Sequence, residues 1–147
     1  MGRALAVGLT AAAGALVALQ APINSRLGKD LGTLQAATVS FAVGLVLLAG
    51  LALVFGGGLG NLGDVAHVPA SYLAGGVIGA AYVTSVLVTV RTLGAGGVTA
   101  ATIAGQLAMA VVVDQFGLLG VARHPVNATR VAGIALLAAG VSLVVRN

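Results

Sequence analysis

Asp114 is the residue whose surroundings make it chemically conspicuous. It lies in residues 105–117, Gly-Gln-Leu-Ala-Met-Ala-Val-Val-Val-Asp-Gln-Phe-Gly, inside a long apolar run, with Gln106 two helical turns before it. Positions 106, 110 and 114 follow i, i+4, i+8 spacing and so share one face of a helix. A carboxylate near the centre of a membrane helix costs about 2.5–3.5 kcal/mol on insertion scales, so such a group faces a cavity or a partner. Two roles fit it. One is a coupling carboxylate that takes up and releases a proton inside a cavity; the other is half of an ion pair with Arg123 or Arg130. With a span that closes near Gly120, Asp114 lies about 9 Å of helix rise inside its end.

A second polar group closes the first apolar run, Gln20-Ala21-Pro22-Ile23-Asn24. Pro22 removes a backbone donor and disfavours helical geometry at Ala21, which predicts a kink and makes it a candidate hinge. Gln20 and Asn24 flank it at i, i+4 and can bind a ligand or satisfy freed backbone groups; fraying into a polar loop explains them equally well. Tyr82 falls in the middle of another apolar run, where its hydroxyl wants a partner in a cavity or on a neighbouring helix. Gln20, Asn24, Tyr82 and Gln106 are therefore the candidate substrate contacts. Ala36, Ser40 and Gly44 at four-residue spacing, and Gly75-x-x-x-Gly79, are read as packing stripes that let helices approach closely.

These groups must be held by membrane helices. Hydrophobic residues make up 59% of the chain and charged ones 7%, with a mean hydropathy of +1.13, whereas a soluble domain carries about 25% charged residues. Spans need about 20 mostly apolar residues. Five are predicted, at about 4–28, 34–55, 71–90, 98–119 and 131–145, forming one all-α integral membrane domain over residues 1–147. The first apolar run passes Pro22 with no convincing cleavage site and is read as a retained helix rather than a signal peptide. Short loops are expected at 29–32 and 91–97 and a Gly-rich exposed connection at 56–66, with Asn127 capping the last helix.

Much chemistry is excluded. The chain has no Cys and three Asp with no Glu, so no thiolate site or nucleophilic triad is legible. Asp64 and His67 are too few to hold a metal, and no cofactor is implied. The seven basic residues sit singly at the ends of apolar runs rather than in a nucleic-acid footprint. An enzyme is not expected.

The distribution of those charges matters more than their number. With five spans the termini lie on opposite sides, leaving Arg3, Arg123 and Arg130 on one and Arg26, Lys29, Arg91 and Arg146 on the other. A bias this small hardly dictates orientation under the positive-inside rule. Copies inserting both ways would form an antiparallel dimer with the inverted symmetry that transporters use. One decisive Arg or a separate, oppositely oriented subunit would account for the balance too. Five helices enclose little room, whereas two copies give ten.

Gln20-Ala21-Pro22-Ile23-Asn24-x-x-Leu27-Gly28, Ser40-Phe41-x-x-Gly44, Gly105-Gln106-Leu107 and Asp114-x-Phe116-Gly117 with Gly120 resemble the short YdcZ-like family of the drug/metabolite transporter superfamily. The resemblance covers essentially the whole chain. It implies a multi-pass bacterial inner-membrane protein of five helices, half of a ten-helix inverted-repeat transporter of that superfamily, working as a dimer. The small multidrug resistance branch of that superfamily uses a Glu midway along its first helix. Here the first span holds no carboxylate, which disfavours cation antiport on that logic unless Asp114 has taken the role.

The expected function is a secondary transporter of a small metabolite or drug-like molecule, working by alternating access with Asp114 as coupling group. A small dual-topology ion channel built from the same polar residues is the alternative, and a non-transporting accessory subunit a third.

Overall fold

The computed structural model describes residues 2–145 and is helical through most of them. Helix α1 spans Arg3–Leu31, α2 Thr33–Phe55, α3 Ala74–Phe116 and α4 Ala128–Val145. Short 3-10 turns at Gly60–His67, Ala70–Leu73 and Leu118–Gly120 occupy the connections. All four helices are long and apolar enough to cross a membrane. At 43 residues α3 has a rise of about 65 Å, twice the roughly 30 Å of a bilayer's hydrocarbon core. It is broken once, at Gly94, where φ is 66° and ψ 172°. The halves 74–93 and 95–116 are each about one span long, so the chain holds five apolar helical segments.

Helix ends differ most from expectation. Residues 29–31 are helical rather than a loop, and one residue, Gly32, joins α1 to α2. Its N–H closes α1 on the Gly28 carbonyl at 3.1 Å, and its carbonyl opens α2 by accepting from Ala36 N–H at 3.0 Å. At φ 95° and ψ 156° this backbone suits glycine alone. Likewise the turn expected over 91–97 shrinks to Gly94. In lipid an unpaired backbone group costs several kcal/mol, so helix persists until one residue can break it. The third segment starts its α-helix at Ala74, after a 3-10 turn, rather than at Ser71. The fourth ends at Phe116, before left-handed Gly117, instead of near Gly120. Asp114 is therefore in the last turn of α3, not 9 Å inside it.

The helices carry apolar residues all round. Leu45, Val46, Leu47 and Leu48 are consecutive in α2, so they point in every direction, and all are exposed. A soluble protein cannot present such a surface to water; lipid accepts it. Hydroxyls along the helices satisfy themselves: Thr10, Thr38, Ser85, Thr89 and Ser142 each donate to the carbonyl four residues back.

Two compact units divide at Arg91. In the first, residues 1–91, α1 packs along α2, and a small core of Ala36, Ala37, Val83 and Leu87 has Leu27 and Tyr82 packed against it. Small residues permit the approach. A Cβ at Gly28 would sit 3.6 Å from Ala36 Cβ and from Leu87 Cδ2, and 3.2 Å from Arg91 Nη2. The second unit, residues 92–147, comprises the C-terminal part of α3, the loop 117–127 and α4.

Candidate functional site

In the second unit Asp114 meets Arg130. Arg130 Nη2 donates to Asp114 Oδ2 at 2.7 Å, with the two side chains 36% and 24% exposed respectively. Each charge stands at the unfavourable end of its own helix: Asp114 in the last turn of α3, at the carbonyl end of its dipole, and Arg130 in the first turn of α4, at the N–H end. Bringing the helix ends together sets the cation against the carbonyl end and the anion against the N–H end. Arg130 Nη1 also donates to the His124 carbonyl at 2.9 Å. The expected cap is present, since Asn127 Oδ1 accepts the Arg130 N–H at 2.9 Å.

The loop between these helix ends is stapled by the residue after Asp114. Gln115 Oε1 accepts the Val126 N–H at 2.8 Å and its carbonyl accepts Arg123 Nε at 2.8 Å. Asp114's own carbonyl takes the His124 N–H at 2.9 Å. Arg123 is thereby engaged elsewhere, and Arg130 is the partner of Asp114.

The pair closes one end of a groove of about 390 Å³ between α3 and α4. The α3 wall is Leu107, Ala110, Val111 and Asp114; the α4 wall is Arg130, Gly133, Ile134 and Leu137. Gln106 is exposed and lies outside this lining. The reason is helical drift: a helix of 3.6 residues per turn rotates by about 40° at each four-residue step, so positions 106 and 114 differ by about 80°. The shared face expected for Gln106 and Asp114 is broader than the groove.

The other candidate residues fall in the first unit. Gln20 lines a groove of about 370 Å³ between α1 and α2 with Ser40, Phe41, Gly44, Leu45 and Leu48. Asn24, only 6% exposed, donates from Nδ2 to Ser40 Oγ at 3.1 Å, and it is not among the groove-lining residues. Such a bond between membrane helices is worth about 0.6 kcal/mol, so it sets register more than stability. Pro22 is half-buried within the continuous helix α1. Tyr82 packs against the small core. Of the Gly75–Gly79 pair, Gly79 faces the Phe41 ring, whose Cζ would lie 3.7 Å from an added Cβ, whereas Gly75 has open space. The structure thus joins Gln20, Ser40 and Gly44 in one groove and gives Asp114 a different one.

Residues 5–143 match the family model described as "Putative inner membrane exporter, YdcZ". The chain belongs to the YdcZ family. No curated protein and no solved structure matches it. The match spans all five apolar segments, and the family's description points to transport rather than catalysis. In this YdcZ-family chain Gln115, which staples the loop, and Val111, Gly133, Ile134 and Leu137, which line the groove, are residues that sequence reasoning gave no role. Gln115 carried the one available signal, a second polar side chain beside Asp114. Nothing local distinguishes Gly133 from the other glycines of apolar helices.

Proposed function

We propose that this chain is a secondary transporter of the bacterial cytoplasmic membrane that exports a small molecule by alternating access. Residues 1–147 form a single transmembrane domain, two copies work as an antiparallel pair, and Asp114 couples the cycle to protons. The observation that carries this reading is the Asp114–Arg130 pair at the end of an otherwise apolar groove. An ion pair in such a place is a two-state element: protonating Asp114 removes one charge, frees Arg130 and changes what the groove can hold. The near-equal charge balance about the five apolar segments supports the antiparallel arrangement. The exporter description supports the direction.

Two experiments test it. In liposomes enclosing the pH dye pyranine, a transported compound moves protons through the unaltered protein and not through Asp114→Asn. Proton movement that survives in Asp114→Asn removes the coupling role. For orientation, Gly63→Cys introduces one thiol into a cysteine-free chain, in the turn between α2 and α3. A membrane-impermeant maleimide should label about half the molecules in intact cells and the remainder after lysis. All-or-none labelling would mean one fixed orientation and exclude the antiparallel homodimer.

A further inference from the structure

We infer that the α3–α4 groove binds a small molecule with a zwitterionic head and an apolar tail. The inference rests on the transporter reading above and names the class of its substrate. The argument starts from charge. Asp114 and Arg130 together are neutral, and the rest of the lining is apolar. A singly charged ligand would meet attraction from one member of the pair and repulsion from the other, with little net Coulomb gain. A head bearing both an ammonium and a carboxylate adds no net charge and can lie head-to-tail against the protein's pair.

Unused hydrogen-bonding capacity fits the same head. Arg130 spends Nη1 on the His124 carbonyl and Nη2 on Asp114 Oδ2. Its Nε, and Asp114 Oδ1, have no protein partner among the described residues. The first suits a ligand carboxylate and the second a ligand ammonium. Both side chains are partly exposed, so they are reachable without unfolding the loop.

The tail follows from the walls. Leu107, Val111, Ile134 and Leu137 offer no hydrogen bond to a ligand. A sugar or a nucleotide would leave several hydroxyls unpaired against these walls, and each loses its water without gaining a partner. A volume of about 390 Å³ lies at the small end of ligand sites, which run from about 300 to 1,000 Å³. A single ring occupies about 150 Å³ of apolar cavity, so a tail of one ring or a short branched chain enters with room to spare.

The test uses three probes that share a phenyl tail and differ in head charge: L-phenylalanine, 2-phenylethylamine and 3-phenylpropanoate. The full chain is held in nanodiscs of phosphatidylglycerol, which carries no zwitterionic headgroup. Binding is read by saturation-transfer NMR, alongside the thermal unfolding midpoint. L-phenylalanine is expected to bind at least tenfold more tightly than either single ion. Gly133→Leu, which puts a side chain into space where a Cβ meets nothing within 4 Å, and Ala110→Leu on the opposite wall should each weaken binding about tenfold. Neither should alter the unfolding midpoint by more than a few degrees. Equal or tighter binding of a single ion overturns the inference, as does unchanged binding in both groove-filling variants. Repeating the titration in phosphatidylcholine discs should give the same affinity. Loss of binding there would assign the groove to a lipid headgroup and overturn the small-molecule assignment. The two readings fail separately. Binding of L-phenylalanine with no movement of it across liposomes sinks the transporter reading and leaves the site standing. Transport of any compound that Gly133→Leu and Ala110→Leu leave untouched sinks the site and spares the transporter.

Discussion

Arg130→Ala is expected to lower the stability of the folded chain by about 2 kcal/mol, and Asp114→Ala by about half of that. A fully exposed ion pair is worth about 0–1 kcal/mol, whereas breaking a buried one costs about 3–5 kcal/mol. Side chains 36% and 24% exposed lie between these limits. The asymmetry comes from what each deletion leaves behind. Without Arg130, Asp114 is a lone carboxylate at the carbonyl end of α3, where the helix dipole opposes it. The bond to the His124 carbonyl goes as well, and the loop loses one of its ties. Without Asp114, Arg130 keeps that carbonyl and has a long stem with which to reach water. Thermal unfolding of the single and double variants in nanodiscs gives the coupling between the two residues. A value near 1–2 kcal/mol is expected for groups in direct contact. Equal losses from the two single variants would show that the arginine ties nothing beyond the carboxylate.

Gly32→Ala should cost about 1–3 kcal/mol through backbone strain alone. The residue touches little of the core, but the entire reversal from α1 to α2 is made at its backbone, with φ at 95° and ψ at 156°. An L side chain is strained there, and it would also press on Gln35, whose Oε1 would lie 2.5 Å from an ideal Cβ. Relaxing φ to a permitted value breaks either the bond that ends α1 or the bond that begins α2. Gly14→Ala is the control. That glycine lies inside α1 with open space around it, so alanine should stabilise the helix by about 0.5–1 kcal/mol. Opposite signs in the two unfolding midpoints are the expected result. A loss of similar size at both positions would mean that packing, not backbone conformation, decides.

The sequence by itself determined the solvent, the class and the main chemical landmark. So few charges cannot coat a soluble surface, and each apolar run of about 20 residues meets the membrane requirement independently of its neighbours. Asp114 stood out because a lone carboxylate in an apolar run is costly whatever surrounds it. Asn127 was legible as a cap because capping is local, reaching only to the N–H of Arg130. Where each helix stops was less legible. Gly-rich stretches such as 91–97 look like turns by composition, yet lipid keeps their backbone helical except at Gly94.

Only the tertiary structure decided which groups meet. Arg123 and Arg130 were equivalent partners for Asp114 in the sequence. The choice rests on the path of residues 117–127, where Gln115 engages Arg123 and leaves Arg130 facing the carboxylate. The same holds for the grooves. Gln20 and Asp114, grouped by polarity alone, line different ones, and Gln106 lines neither. Asn24 turned out to be bonded to Ser40, a residue read as a packing position. Polarity and burial cost belong to single residues and can be read one at a time. Pairing depends on the three-dimensional course of the backbone, and a rotation of about 80° along one helix is enough to take a side chain out of a site.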